Sequence, residues 1–407
     1  MNELLFLLLP FAFYSGWKAA RNKFNSNQKK QRELSGHFVK GVNYLLSEEP
    51  DKALEVFLNY PDIDEYTAET YQLLGNLFRN RGEVDRALRV HQNLIARPNI
   101  RQEQKHKAMF SLGQDFFAAG MLDRAESVFQ ELLNDSNVSK NISKSSVCKS
   151  LRVIYEQTQE WEKAIETTSC SSKSLIESTV NNKNKSKDNA LIAHYYCELA
   201  NEALQKGKLH DVDLFMAKAK KAHKKSTRLM CLAGDIAYHQ EKYQYALDHY
   251  LTAIKQGSRL LGMLFDKLEK AAIKVDAIPR LQSALLKLYQ QKKNKVIFEY
   301  IVLLAIKNND SSDVINMLIN TELASEKMSV KSICNASEYF IQNSTESNPQ
   351  ETNQKSQSEK ALKLVNTSLN NYLQGSSAFC CLHCGYKMRD FLWRCPACHH
   401  WDTIDHT

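Results

Sequence analysis

This sequence contains few of the residues that make tight turns, with 13 glycines and 7 prolines among 407 residues. Folds built from many short strands need a turn after each strand, so this scarcity argues against an all-β protein and favours helices. The sequence also lacks a glycine-rich phosphate loop, a His-Glu-x-x-His motif and a Gly-x-Ser-x-Gly motif. We therefore expect a mainly helical protein that is not an enzyme.

A strong excess of one charge is also missing, because 54 Lys and Arg face 46 Asp and Glu, for a net charge of +8. Nucleic-acid-binding proteins usually cluster their basic residues, so we predict no nucleic-acid partner. The clearest basic cluster is the stretch 18–32, which contains no acidic residue. It directly follows an apolar segment, and this position indicates a membrane surface.

That apolar segment is the uncharged run 4–17, LLFLLLPFAFYSGW. The run is shorter than the ~20 residues that span a bilayer, but uncharged neighbours and a snorkelling Lys18 bring it near the lower limit. A signal peptide or a buried core helix is the alternative. Signal peptides begin with positive charge and end in small residues, whereas this run ends in Trp17. We predict an uncleaved transmembrane helix over 1–20 and a basic juxtamembrane segment over 21–33, with the remainder in the cytoplasm.

An internal period dominates the middle of the chain. A residue that is usually small is followed twelve positions later by alanine or valine, at Gly41/Ala53, Gly75/Ala87, Gly113/Ala125, Arg152/Ala164, Ala200/Val212 and Gly234/Ala246. Four positions after each pair come Phe57, His91, Phe129, Thr168, Met216 and Tyr250. The pattern resembles the tetratricopeptide repeat, a pair of antiparallel helices in ~34 residues. We predict an all-α repeat solenoid over 34–342, in which the small residues let the paired helices approach closely.

Polar stretches interrupt this array. We predict lengthened loops or irregular helix ends at 134–147 and 171–189, and a linker at 343–359 before a short amphipathic helix at 360–373. Over 258–340 the signature fades, but the apolar spacing stays helical. Stacked repeats commonly bind peptides or domains, so we expect a protein-binding array. Four histidines have no ligand-spaced partners and are predicted to be packing or surface residues: His91, His194, His223 and His239.

Half of the ten cysteines are scattered, and the other half crowd into residues 380–398. There, Cys381-x2-Cys384 and Cys395-x2-Cys398 are separated by ten residues. Two such pairs supply a closed, tetrahedral four-thiolate site for one structural metal ion, zinc or iron. A chain segment as short as 378–407 cannot hold a core unaided, so metal binding is expected to stabilise it.

Other residues near these pairs have secondary roles in this interpretation. Gly385 allows a positive φ after the first pair, and Pro396 stiffens the second loop. Cys380 is a spare thiol, since Cys381 keeps the two-residue spacing. The histidines 383, 399 and 400 are left out because four thiolates complete the shell. The expected small core consists of Tyr386, Phe391, Trp393 and Trp401.

The anchor, the repeats and the terminal cysteine pairs, in this order, resemble one family, the bacterial lipopolysaccharide assembly protein B. The resemblance covers nearly the whole chain. It rests on ELLFLLLP with a following Gly-Trp, GVNYLLS, DKALEVFL, LGNLFRNRGEVDRALRVHQ, HYYCELA, CLHCGY and LWRCPACHHWDTI. Repeats alone are shared by many families, whereas this combination is specific.

The resemblance implies a single-pass inner-membrane adaptor that faces the cytoplasm. Such proteins couple the zinc deacetylase of lipid A synthesis to a membrane ATP-dependent protease, which limits lipopolysaccharide production. The implied partners are that protease, that deacetylase, inner-membrane lipids and components of lipopolysaccharide transport. The resemblance also implies a rubredoxin-like domain over 378–407 that packs against the repeats, joined to them by the linker and short helix of 343–377. Its ligands would be Cys381, Cys384, Cys395 and Cys398.

Two alternatives stay open. One is a scaffold for envelope assembly without a role in proteolysis. The other is a rubredoxin-like electron carrier, since iron in a four-cysteine site can change redox state. The sequence supplies no flavin or nicotinamide site as its redox partner. A ferric site is red and a zinc site colourless, so the colour of the purified protein would distinguish an iron-containing electron carrier from a zinc protein.

Overall fold

The computed structural model describes residues 39–58, 65–135, 143–173, 182–344, 362–371 and 378–406, together with Trp17, Lys18 and Arg21. Within those ranges, residues 42, 45, 46, 48, 99, 311, 325–327 and 370 are excepted. None of the helices described there is both long enough and apolar enough to span a bilayer. The predicted anchor over 1–20 lies outside the described residues, apart from Trp17 and Lys18. The chain forms two compact units, 1–181 and 182–407.

The first unit is a series of helices that pack in consecutive pairs. Its helices are α1 (Pro50–Leu58), α2 (Glu65–Asn80), α3 (Val84–Ala96), α4 (Gln102–Ala118), α5 (Leu122–Asn134), α6 (Lys144–Thr158) and α7 (Trp161–Lys173). The pairs α2/α3, α4/α5 and α6/α7 correspond to three of the predicted repeats. The predicted helical repeat array is therefore confirmed.

The second unit continues the same pairing and ends in a small sheet. Its helices are α8 (Asn182–Gln205), α9 (Leu209–Ala222), α10 (Thr227–His239), α11 (Tyr243–Gln256), α12 (Leu261–Lys274), α13 (Ile278–Lys292), α14 (Lys295–Lys307), α15 (Asp313–Ala324) and α16 (Val330–Ser344). A further helix covers 362–369, inside the predicted amphipathic segment. The strands β1 (Phe379–Cys381), β2 (Lys387–Met388) and β3 (Ile404–His406) form an antiparallel sheet in the order β2-β1-β3.

Close helix contact at the small repeat residues explains the sequence period. A Cβ atom added to Gly75 would lie 2.5 Å from the His91 ring, and one added to Gly234 would lie 2.4 Å from the Tyr250 ring. In the α4/α5 pair Gly113 meets Phe129 in the same way, at 2.6 Å. Each small residue thus makes room for the large residue sixteen positions later. These rings are buried.

The turns between paired helices follow the same register. In five of the predicted repeats the backbone takes a positive φ seven positions after the first residue of the repeat pair, at Gly82, Gly120, Gln159, Gly207 and Glu241. A residue in this left-handed conformation ends a helix and reverses the chain, and glycine adopts it without steric cost. Three of the five positions are glycine, so the repeat uses glycine at most of the turns that need this conformation.

The stretch 171–189, predicted as a lengthened loop or irregular helix ends, contains more regular helix than expected. Helix α7 continues to Lys173 and α8 begins at Asn182, so much of this polar stretch is helical. Helix propagation from the packed part of α8 overrides the weak local preference of Ser, Asn and Lys, because each added residue gains a hydrogen bond. The stretch 134–147 also ends inside a helix, since α6 starts at Lys144. Most of the predicted linker 343–359 lies outside the described residues.

Candidate metal centre

Two similar backbone loops present the paired cysteines. In the first loop, the Gly385 N–H donates to the Cys381 carbonyl over 2.8 Å, and Gly385 has the predicted positive φ, +75°. In the second loop, the His399 N–H donates to the Cys395 carbonyl over 3.0 Å, with His399 at φ 58°. Both loops therefore need a left-handed residue four positions after their first cysteine, but only one of them has glycine there.

The structure brings the four predicted cysteines together. The Sγ atoms of Cys381, Cys384, Cys395 and Cys398 all lie within 4.8 Å of one another. The Cys381–Cys398 and Cys384–Cys395 sulfur pairs are each 3.7 Å apart. A tetrahedral ion with ~2.3 Å metal–sulfur bonds needs ligand sulfurs about 3.8 Å apart, so these separations fit one metal ion. They also exclude disulfides, whose sulfurs are ~2.05 Å apart.

Cys380 and the neighbouring histidines are not members of the four-sulfur group. Cys380 is outside the four-sulfur group, and its strand position pairs with Lys387. His383 and His400 stack on each other with ring centroids 3.7 Å apart, and each can place a nitrogen near the Cys398 sulfur. Their rings border the site on its exposed side.

Thr403 is a contact that the spacing of the cysteines does not predict. Its hydroxyl lies 3.2 Å from the Cys381 sulfur. Burial raises the pKa of Cys381, but hydrogen bonds from Thr403 and from the backbone of Cys384 and His383 outweigh burial and lower the pKa to about 6. Metals bind the thiolate form, so these hydrogen bonds favour the protonation state that a metal ligand needs.

The small core around the site differs from the predicted one. It consists of the buried side chains Phe379, Cys381, Met388, Cys395 and Ile404, with Phe391 packed against them. Tyr386 is 47% exposed, so its predicted core role is wrong. Trp393 packs instead against the helical core of the second unit. Spacing identified aromatic residues near the cysteines but not the surface that each of them faces.

Trp401, the last of the predicted core aromatics, lies against helix α8. Its ring stacks on His194 with centroids 5.0 Å apart. The His194 Nε2 lies 2.8 Å from a carboxylate oxygen of Asp402. Arg259 donates to the Asp402 carbonyl over 2.5 Å. His194 is a packing residue, as predicted, but what it packs against is the cysteine domain.

Two more contacts extend this surface across α10 and α12. The Arg228 guanidinium lies 5.4 Å from the ring centroids of both Trp393 and Trp401. On α12, a Cβ at Gly262 would lie 2.1 Å from the His406 ring. Burial, aided by Lys331, lowers the pKa of His406 below its ordinary 6.5. The cysteine domain therefore packs on three successive helix pairs.

The three helix positions that make these contacts are equivalent in the repeat. His194, Arg228 and Gly262 follow each other at intervals of 34 residues. His194 and Arg228 each lie six positions before the small residue of their repeat, Ala200 and Gly234. We call the row of such positions the ridge. The repeat period, carried on past Gly234, predicts Gly262 as the next position of the ridge.

Comparison with known proteins supports this description. Residues 379–406 match the family model of the rubredoxin metal binding domain, and residues 70–105 match that of the tetratricopeptide repeat. Lipopolysaccharide assembly protein B of Escherichia coli (strain K12) is 29% identical over 405 residues, which cover 99% of this chain and 98% of the relative. The protein of the same name from Haemophilus influenzae is 29% identical over 413 residues, with coverage of 99% and 98%.

Among solved structures, a tetratricopeptide repeat protein from Parabacteroides merdae aligns with a TM-score of 0.33 and 12% identity, covering 74% of this chain and 98% of that chain. The curated relatives are named as assembly proteins and not as enzymes, in agreement with the prediction that this chain is not an enzyme. The chain is a repeat protein with a terminal rubredoxin-like domain, and its predicted resemblance to lipopolysaccharide assembly protein B is confirmed over 99% of its residues.

Proposed function

We propose that this protein is a membrane-anchored cytoplasmic adaptor that regulates lipopolysaccharide biosynthesis. It holds the deacetylase of the lipid A pathway and presents it to a membrane ATP-dependent protease. The name of its relatives supports a role in lipopolysaccharide assembly. The repeat array supports a role in binding proteins, since stacked helix pairs offer an extended surface with many side chains.

The observation that carries this proposal is that, among the described residues, the ridge is in contact with the cysteine domain in the second unit but is not covered by it in the first. In the second unit the ridge residues His194, Arg228 and Gly262 are in contact with the cysteine domain. The equivalent residues of the first unit, six positions before Gly75, Gly113 and Arg152, are Glu69, Lys107 and Ser146. Glu69 and Ser146 are exposed and Lys107 is half-buried.

In the part of the chain that the structure describes, no domain covers the first-unit ridge. The second unit shows that a ridge of this kind accepts a folded domain through an acidic residue, Asp402, and two tryptophans. We therefore assign client binding to the first-unit ridge. The second-unit ridge serves to hold the chain's own cysteine domain.

Metal binding has a structural role in this proposal. Cys381, Cys384, Cys395 and Cys398 hold one ion, zinc or iron, and the ion keeps the small domain folded. A domain of this size has too little apolar core to fold unaided, so much of its folding free energy comes from the metal. Metal loss would therefore also free the second-unit ridge.

Residues 1–20 supply the anchor, and 21–33 the basic contact with lipid headgroups. The array spans 34–342, and 343–377 joins it to the metal domain at 378–407. If the anchor and the protease share one bilayer, a bound client is presented at a high effective concentration, and modest affinity is then sufficient. Removal of 1–20 should leave client binding intact but prevent client degradation.

A binding experiment with purified protein tests the ridge. Glu69→Lys reverses the charge of an exposed ridge residue and should weaken binding of the deacetylase. Glu131→Lys makes the same change at an exposed residue of α5, away from the ridge, and should bind like the wild type. Equal binding by both variants would contradict the assignment of the ridge.

The word assembly in the relatives' name favours one alternative, a scaffold for lipopolysaccharide transport components without a role in proteolysis. The two alternatives differ in which proteins co-purify with this protein from detergent extracts of membranes. An adaptor should co-purify with the protease, whereas a scaffold should co-purify with transport components and without the protease.

A further inference from the structure

Two cysteines outside the metal centre face each other within one repeat. Cys148 lies on α6 and Cys170 on α7, and their Sγ atoms are 2.8 Å apart. Both are free thiols. Cys148 is fully buried and Cys170 is half-buried. Sulfurs in a disulfide are ~2.05 Å apart, so a small movement of the side chains would join this pair.

The pair has the features of an oxidisable site and not those of a metal site. Among the described residues, the groups of three or more metal-ligating side chains all lie in the cysteine domain, and neither Cys148 nor Cys170 belongs to one. Burial, reinforced by Cys170, raises the pKa of Cys148 to about 12. Cys148 is therefore a protonated, shielded thiol, while Cys170 is the sulfur that an oxidant reaches first.

We propose that Cys148 and Cys170 form a reversible disulfide when a peroxide-class oxidant reaches the protein. This inference does not depend on the proposed function. It rests on the sulfur separation, the unequal exposure of the two thiols and their positions on the two helices of one repeat.

The reaction has two steps. Peroxide transfers one oxygen to the Cys170 sulfur, so that an S–O bond forms, the O–O bond breaks and one water leaves. The Cys148 sulfur then attacks the sulfenic sulfur of Cys170. The S–S bond forms, the S–O bond breaks, and the hydroxyl leaves as water with the thiol proton of Cys148. Two thiols are oxidised and one peroxide is reduced to two waters. A dithiol reductant reverses the bond by thiol–disulfide exchange.

The disulfide would fasten the two ends of a helix hairpin. Cys148 lies in the first turns of α6, and Cys170 lies near the end of α7 at Lys173. A bond there prevents the end of α7 from separating from α6, which limits local opening of this repeat. A reducing compartment keeps the pair as thiols at rest, so the bond would report oxidative conditions.

Peptide mapping of the full-length, zinc-loaded protein tests the proposal. The protein is treated with an equimolar amount of hydrogen peroxide, its remaining thiols are alkylated, and its peptides are analysed by mass spectrometry. We expect a linked pair of peptides containing Cys148 and Cys170 that disappears on treatment with dithiothreitol. Cys334, a buried cysteine on α16, should remain a free thiol and be recovered in alkylated form.

Two variants make the test specific. Cys170→Ser should abolish the linked peptides and leave Cys148 as a thiol, and Cys334→Ser should leave the linked peptides unchanged. Trypsin should also cleave the oxidised protein around residue 173 more slowly than it cleaves the reduced protein. The proposal is overturned if Cys148 and Cys170 remain thiols after peroxide treatment and are then both recovered in alkylated form. It is also overturned if Cys148 links to other cysteines as readily as to Cys170.

Discussion

The close approach of paired helices at Gly234 makes a quantitative prediction. A Cβ atom at this position of α10 would lie 2.4 Å from Cε1 of the Tyr250 ring on α11. Tyr250 is fully buried, and its hydroxyl donates to Asp235 over 2.6 Å. Asp235 is in turn paired with Lys267 at 2.8 Å. In a Gly234→Ala variant, the Tyr250 ring cannot move away from the added methyl group without disturbing this hydrogen bond.

Three effects set the magnitude for Gly234→Ala. Overpacking a core costs about 1–3 kcal/mol, and the loss of a hydrogen bond to a charged group costs about 1.5–3 kcal/mol. Alanine regains about 1 kcal/mol because it favours a helix more than glycine does. The net expected loss of unfolding free energy is therefore about 3 kcal/mol.

Urea unfolding followed by circular dichroism measures this loss. Gly257→Ala is the matched control, because a Cβ there would lie 3.7 Å from its nearest neighbours and the residue has a negative φ. The control should be neutral or gain up to about 1 kcal/mol through its less flexible unfolded chain. A Gly234→Ala variant as stable as the control would refute the role of the small residue in helix approach.

Other predictions concern the metal domain. Cys384→Ser should release the metal and make residues 378–406 sensitive to protease, whereas Cys380→Ser should retain one equivalent by metal analysis. His406 has a lowered pKa in the folded protein, so the unfolded chain binds its proton more readily. The stability that His406 contributes is present above pH 6.5 and should fall as the pH decreases below that value; His406→Gln should remove this dependence in unfolding curves measured from pH 7.5 to 5.5. His399→Gly should raise the melting temperature, with a gain of about 1 kcal/mol, because glycine accepts the φ of 58° without strain.

The repeat array was predictable because its period is a direct record of packing. Gly75, Gly113 and Gly234 are small where a ring from the paired helix would otherwise clash, and the positions of these rings repeat with them. The four cysteines were predictable for a related reason. Two residues between two thiols set a loop geometry that local sequence alone determines.

The docking of the metal domain was not predictable from local patterns. Trp393 and Trp401 were expected in the small core, because aromatic residues beside the cysteines give no sign of which surface they face. Their contacts with Arg228 and His194 join residues that are far apart in the sequence. The helical start of α8 was missed because tertiary packing, and not the polar composition of 182–189, determines where that helix begins.

The half-life of the lipid A deacetylase in living cells tests the central proposal most directly. We predict a short half-life in cells that contain this protein or its Glu131→Lys variant. The half-life should lengthen in cells that lack the protein, lack its residues 1–20 or carry Glu69→Lys. A half-life that is the same with and without the protein would contradict the adaptor proposal.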